Sequence, residues 1–156
     1  MQNVYDRLYI GSLLDCFHQN EGWATVHACK SPCHQRAVGY QGSLPKSDPH
    51  YLIFERPQNL YLNMIDPPGP LFMPQLFTEF LKFARYQWEG GQNLLIHCNQ
   101  GESRAPSLAL LFLAKALGAL PAESYAAALE EFVKLYPSYS PGQGIRIYLW
   151  ENWGIF

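Results

Sequence analysis

The residues of this chain that could do chemistry crowd into one stretch, Ile96-His97-Cys98-Asn99-Gln100-Gly101-Glu102-Ser103-Arg104-Ala105-Pro106. Ahead of it runs Asn93–His97, a short apolar segment suited to a buried strand, and behind it Arg104–Leu117, apolar on almost every side and suited to a buried helix. A loop that leaves a strand and opens into a helix gathers backbone N–H groups into one concavity, where the helix dipole also favours negative charge. The five residues between Cys98 and Arg104 suffice to bend around one tetrahedral anion, with the thiol beneath it and the guanidinium beside it. The residue types suit a phosphate ester. A helix N-terminus draws a thiol's pKa down from its usual ~8.5, so that the nucleophilic thiolate forms near neutral pH. Arginine presents a planar fork that matches two phosphate oxygens, and Gly101 permits close backbone approach or a positive φ. Cys98 and Arg104 therefore read as catalytic, with His97, Asn99, Gln100, Gly101, Glu102 and Ser103 as the substrate-binding shell. From ordinary residue frequencies the pattern His-Cys-x-x-Gly-x-x-Arg arises by chance on the order of once per million positions.

The elements that must position this loop are legible in part. Arg7–Ile10, Trp23–His27, Tyr51–Phe54 and Asn59–Met64 read as short strands, with Cys29–Pro49 as a long irregular loop. Pro74–Trp88 shows helical spacing of Leu76, Phe77, Phe80, Leu81, Ala84 and Trp88, with Pro74 in the first turn and Gly90-Gly91 as the stop. Pro121–Leu135 reads as a further helix and Pro141–Trp153 as the last. This order implies an α/β fold, a central and mostly parallel sheet with helices on both sides. At 156 residues the chain fits one domain spanning 1–156. Its net charge of −2 argues against a nucleic-acid or anionic-membrane binder. The opening MQNVYDRLYIG lacks the basic and apolar regions of a secretion signal, and Ala105–Ala114 falls short of the ~20 apolar residues a membrane span needs. Cys16, Cys29, Cys33 and Cys98 then read as free thiols in the cytoplasm, in a chain expected to be monomeric.

The loop His97–Arg104 resembles the His-Cys-x5-Arg loop of the cysteine-dependent protein tyrosine phosphatase superfamily, and Gly101-Glu-Ser-Arg104 resembles its dual-specificity branch. Leu8-Tyr-Ile-Gly-Ser12 is similar to that branch's opening strand, and Tyr139-Ser-Pro141 stands where it often has a proline turn before the last helix. The resemblance implies a three-layer phosphatase-like domain, phosphorylated protein or peptide substrates, a phosphocysteine intermediate, and neither cofactor nor metal. It also implies a general acid on a separate loop ahead of the cysteine. Asp66, in Met64-Ile-Asp-Pro-Pro-Gly69, has the matching position and context, with Asp48 as its competitor. Chemically the acid would protonate the leaving oxygen and then activate water.

Two positions depart from the family pattern. Ala105 replaces the usual hydroxyl residue after the arginine, as in the phosphatases of regenerating liver, and implies slow breakdown of the intermediate. Glu102 argues against polyanionic inositol lipids. These departures keep open a pseudophosphatase that binds phosphate groups without turnover. A rhodanese-like sulfurtransferase is the remaining rival, disfavoured by His97 and by the helical C-terminus. His27-x-Cys29-x3-Cys33-His34 offers four zinc-ligand types in one local run, but structural zinc sites draw pairs from separated segments, and this run lacks a second pair.

Overall fold

Alternation along four short strands decides how the sheet is covered. In the computed structural model, which describes residues 1–16 and 21–156, Leu8 and Ile10, Ala24 and Val26, Leu60 and Leu62, and Leu94 and Ile96 all point into one large apolar core. The intervening residues, among them Tyr9, Thr25, His27, Tyr61, Leu95 and His97, necessarily face the opposite side. Among the described residues six strands form one sheet: β1 (Gln2–Tyr5), β2 (Leu8–Gly11), β3 (Trp23–His27), β4 (Ile53–Arg56), β5 (Asn59–Leu62) and β6 (Asn93–His97), in the order β1-β2-β6-β3-β5-β4. The inner four run parallel, and β1 and β4 close the edges as antiparallel partners of β2 and β5. The mostly parallel sheet expected from the sequence is thus observed. β3 and β6 have the expected bounds, and β1 is an addition.

The front face of the sheet carries α2 (Pro74–Glu89) and α3 (Arg104–Lys115), with α4 (Tyr125–Leu135) and α5 (Gln143–Asn152) packed behind α3. Burial explains why α3 is apolar all round, since every residue from Arg104 to Ala114 is buried. The back face is covered by the segment expected to be irregular. Lys30–His34 forms a π-helical turn that runs into the single turn α1 (Gln35–Val38), and its Cys29 and Cys33 join Tyr61 in a second, smaller apolar cluster. α4 begins at Tyr125 rather than at the expected Pro121, because the Ser124 hydroxyl accepts from the Ala127 N–H and caps the helix there. No helix among the described residues is long and apolar enough to cross a membrane.

The registers matter for function. His97 on β6 stands opposite both His27 on β3 and Gly11 on β2, so the carboxyl ends of three parallel strands are level. Ligand sites of parallel α/β sheets form at that edge.

Candidate active site

Cys98 follows the last residue of β6 and is 1% exposed. The Gly101 N–H donates to its Sγ at 3.3 Å, so the loop curls back over the thiol as the sequence implies. That curl requires glycine twice over. Gly101 has φ +80°, and a Cβ there would lie 3.0 Å from the Gly11 carbonyl oxygen at the end of β2. From the outside, the segment between α4 and α5 grips three successive loop residues. The Tyr136 hydroxyl donates to the Gly101 carbonyl at 3.0 Å, the Ser140 N–H to the Glu102 carbonyl at 2.8 Å, and the Gly142 N–H to Ser103 Oγ at 2.9 Å. Tyr136 titrates above the usual tyrosine range, through burial first and then through the neighbouring charges of Cys98 and Glu102.

Arg104 opens α3, and its guanidinium is held on both sides. Nη1 donates to the backbone carbonyls of Ala28 at 3.1 Å and Met64 at 3.0 Å, which anchors it to the ends of β3 and β5. The remaining edge faces two oxygens: Nη2 donates to Asn99 Oδ1 at 2.7 Å and Nε to Asp66 Oδ2 at 3.2 Å. Asp66 Oδ1 in turn accepts from the Ser103 hydroxyl at 2.8 Å. The structure therefore brings Asp66, from the loop after β5, onto the Cys98 loop. Asp48 instead accepts from the His50 N–H at 2.8 Å within its own exposed loop. Two glycines admit this approach. A Cβ on Gly142 would stand 2.8 Å from Asp66 Oδ1, and one on Gly144 would collide with the carbonyls of Pro67 and Gly69. Small residues at 142 and 144 thus let the Asp66 loop lie against the start of α5.

The other expected shell residues divide. Asn99, Gln100 and Glu102 are exposed at the rim, and the Asn99 amide also donates to the Ser31 carbonyl at 3.0 Å, tying the loop to the back-face segment. Ala105 is fully buried. His97 does not face the loop. Its ring lies on the back of the sheet, with Nε2 at 2.7 Å from His27 Nδ1, while His27 Nε2 faces Asn59 Oδ1 at 2.9 Å and stacks on Tyr61. Sequence reading did not find this row, although His27, Asn59, Tyr61 and His97 occupy strand positions that alternation assigns to one face.

Beside the row, Cys16 Sγ lies 3.5 Å from His27 Nδ1 and 3.6 Å from Cys33 Sγ. The Cys16 thiol titrates far below the ordinary range, with Cys33 as its first hydrogen-bond partner, and against the opposing effect of burial. Cys33 is pushed correspondingly upward by Cys16 and Cys29, and Cys29 is drawn down to about 7 through Cys33.

No protein-family profile and no curated protein sequence matches this chain. Solved structures do. DUSP15 superposes with a TM-score of 0.67 at 21% identity, covering 98% of this chain and 86% of that one. The human tyrosine phosphatase-like serine/threonine/tyrosine-interacting protein gives a TM-score of 0.69 at 17% identity, over 99% of this chain and 96% of its own. Human DUSP28 gives 0.62 at 17% identity, over 98% and 92%. At these identities the likeness is one of architecture. Six strands in a mixed sheet between helical layers, with a cysteine loop at the carboxyl edge, make this the fold of the dual-specificity phosphatases.

Proposed function

We propose that this protein is a cysteine-dependent phosphatase that hydrolyses phosphate monoesters on protein or peptide side chains. One observation carries the reading: Arg104 and Asp66, 38 residues apart in the chain, meet on the loop that curls over the Cys98 thiol. In the free protein Asp66 and Asn99 sit on the edge of Arg104 that two phosphate oxygens would take. An incoming phosphoryl group displaces the Asp66 carboxyl from Nε and leaves it beside the ester oxygen. The Cys98 thiolate attacks phosphorus in line, the S–P bond forms, and the P–O ester bond breaks. The departing oxygen takes a proton from Asp66. Asp66 then accepts a proton from water, the water oxygen attacks phosphorus, and the S–P bond breaks to release inorganic phosphate and the thiolate. Ala105 offers no hydroxyl to assist that second departure, so the phosphocysteine accumulates.

The test is mass spectrometry of the chain after mixing with an aryl phosphate and rapid quenching. A phosphoryl adduct on Cys98, absent in Cys98→Ser along with turnover, supports the reading; unimpaired turnover in Cys98→Ser overturns it. The second reading is a module that binds phosphorylated ligands without hydrolysis. It is favoured by the closed Asp66–Arg104 pair and by Ala105, and it fits a fold shared by proteins named phosphatases and one named phosphatase-like. Tight phosphopeptide binding with neither adduct nor released phosphate would select it.

A further inference from the structure

On the back of the sheet, away from the phosphate loop, Cys16, His27, Cys33 and His97 each bring one ligand atom into a cluster whose members all lie within 4.8 Å of one another. His27, Cys33 and His97 are buried and Cys16 is half-buried. They come from four places in the fold: the turn after β2, the end of β3, the π-helical turn and the end of β6. The local run singled out in the sequence shares only His27 and Cys33 with this set. The second pair it lacked is supplied by Cys16 and His97. We infer that these four side chains form a structural zinc site.

Two of the separations within the cluster match tetrahedral coordination. Zinc bonds of about 2.3 Å to sulfur and about 2.05 Å to nitrogen imply separations of about 3.8 Å between sulfurs, about 3.6 Å from sulfur to nitrogen and about 3.4 Å between nitrogens. Cys16 and Cys33 are 3.6 Å apart, and Cys16 and His27 are 3.5 Å apart. The imidazole pair, at 2.7 Å, must open by about 0.7 Å to reach the tetrahedral value.

The partners of the two histidines point the same way. His27 Nε2 faces Asn59 Oδ1 at 2.9 Å, an acceptor that calls for N–H there and leaves a lone pair on Nδ1. His97 Nδ1 lies 3.5 Å from the Cys98 carbonyl oxygen, which favours N–H on that side and a lone pair on Nε2. Two lone pairs then confront each other at 2.7 Å, an arrangement that a cation between them resolves. An outer oxygen on each ligating imidazole is the usual second layer of a zinc site. Charge also balances, because two thiolates and one Zn²⁺ make a neutral centre that costs little to bury. Soft sulfur with imidazole selects zinc over the hard cations. A cavity of about 420 Å³ lined by Cys16, His27, Cys33, Arg36, Arg56 and Tyr61 gives the ion a way in. Bound there, the ion would staple the turn after β2 and the Lys30–His34 segment to the strand end that carries Cys98.

The test uses the whole chain purified under reducing conditions with zinc in the medium. Elemental analysis should find one zinc per chain. Metal-free protein should take up one Co²⁺ with the intense absorption of a tetrahedral site and a thiolate-to-cobalt band of two-sulfur strength. Cys16→Ser and Cys33→Ser should each lose the equivalent, while Cys29→Ser and Cys98→Ser retain it. Asn59→Ala should weaken zinc binding by about 10- to 100-fold. If a cysteine variant does not fold, the cobalt spectrum of the unaltered protein still decides. Zinc-free protein that gives no tetrahedral cobalt spectrum overturns the inference. So does undiminished metal in the Cys16 and Cys33 variants, or a Cys16–Cys33 disulfide that persists in reductant and excludes metal.

Discussion

Replacing Gly101 by alanine is the sharpest test of how the cysteine loop is built. Gly101 has φ +80°, where an L-residue costs about 1–2 kcal/mol. Its new Cβ would also stand 3.0 Å from the Gly11 carbonyl oxygen, a backbone atom in the register of β2 with β6, and forcing that contact costs about 1–3 kcal/mol. The control is Gly91→Ala, at φ +81° with nothing within 4 Å of the added carbon, which isolates the backbone strain. At ~2–4 °C per kcal/mol for a chain of this size, Gly101→Ala should melt roughly 4–20 °C lower and Gly91→Ala roughly 2–8 °C lower. Only the former should disturb chemistry. Moving the Gly101 N–H off Cys98 Sγ removes a bond to a charged group worth about 1.5–3 kcal/mol, roughly a ten- to hundred-fold loss in kcat/KM. Thermal melts with aryl phosphate hydrolysis and vanadate inhibition read both effects. Equal melting losses in the two variants, with turnover unchanged in Gly101→Ala, would refute the close approach of the loop to β2.

Other expectations follow from the same contacts. Asp66→Ala should slow hydrolysis by about a hundred- to ten-thousand-fold for alkyl phosphates and by less for nitrophenyl phosphate, whose leaving group needs no proton; equal losses on both would leave Asp66 a support for Arg104. Ala105→Ser should shrink the burst of phosphocysteine seen on rapid quench and raise steady-state turnover, at a stability cost of about 1–3 kcal/mol for burying a hydroxyl, read by melting. Gly144→Ala should push the Pro67–Gly69 carbonyls outward and lower kcat more than it lowers vanadate affinity. Burial draws the His34 imidazole below its usual titration range, so the unfolded chain binds the extra proton first. Stability should then decline as pH falls below about 6.5, by no more than about 1.36 kcal/mol per pH unit, and His34→Gln should flatten that slope in denaturant titrations.

What the sequence disclosed was local. β3 and β6 could be bounded to the residue because each is an apolar run between turn residues, and α2 to within one residue, Trp88 expected and Glu89 found, because Pro74 and Gly90-Gly91 punctuate it. β1 escaped notice because only Val4 of its four residues is buried. An edge strand needs little apolar patterning when its partner supplies the hydrogen bonds. Cys98 and Arg104 were legible since one loop contains both. Asp66 came by resemblance, and the pairing of its oxygens with Ser103 and Arg104 required the fold. The back-face cluster was half hidden for the same reason. His27 and Cys33 are near in sequence, whereas Cys16 and His97 join them only through the β2-β6-β3 order.

The grip of residues 136–142 on Gly101, Glu102 and Ser103 has a consequence for how the chain matures. A nascent polypeptide that has emerged through α4 already holds the six strands, the cysteine and the arginine. Three successive loop residues still lack the Tyr136, Ser140 and Gly142 groups that shape them, and the Asp66 loop lacks the α5 turn it rests on. Assembly of the pocket thus depends on residues that follow the whole sheet in sequence. Because α5 also places Ile145, Tyr148 and Leu149 in the main core, truncation between 135 and 142 should cost stability as well as leaving the anion cradle unformed.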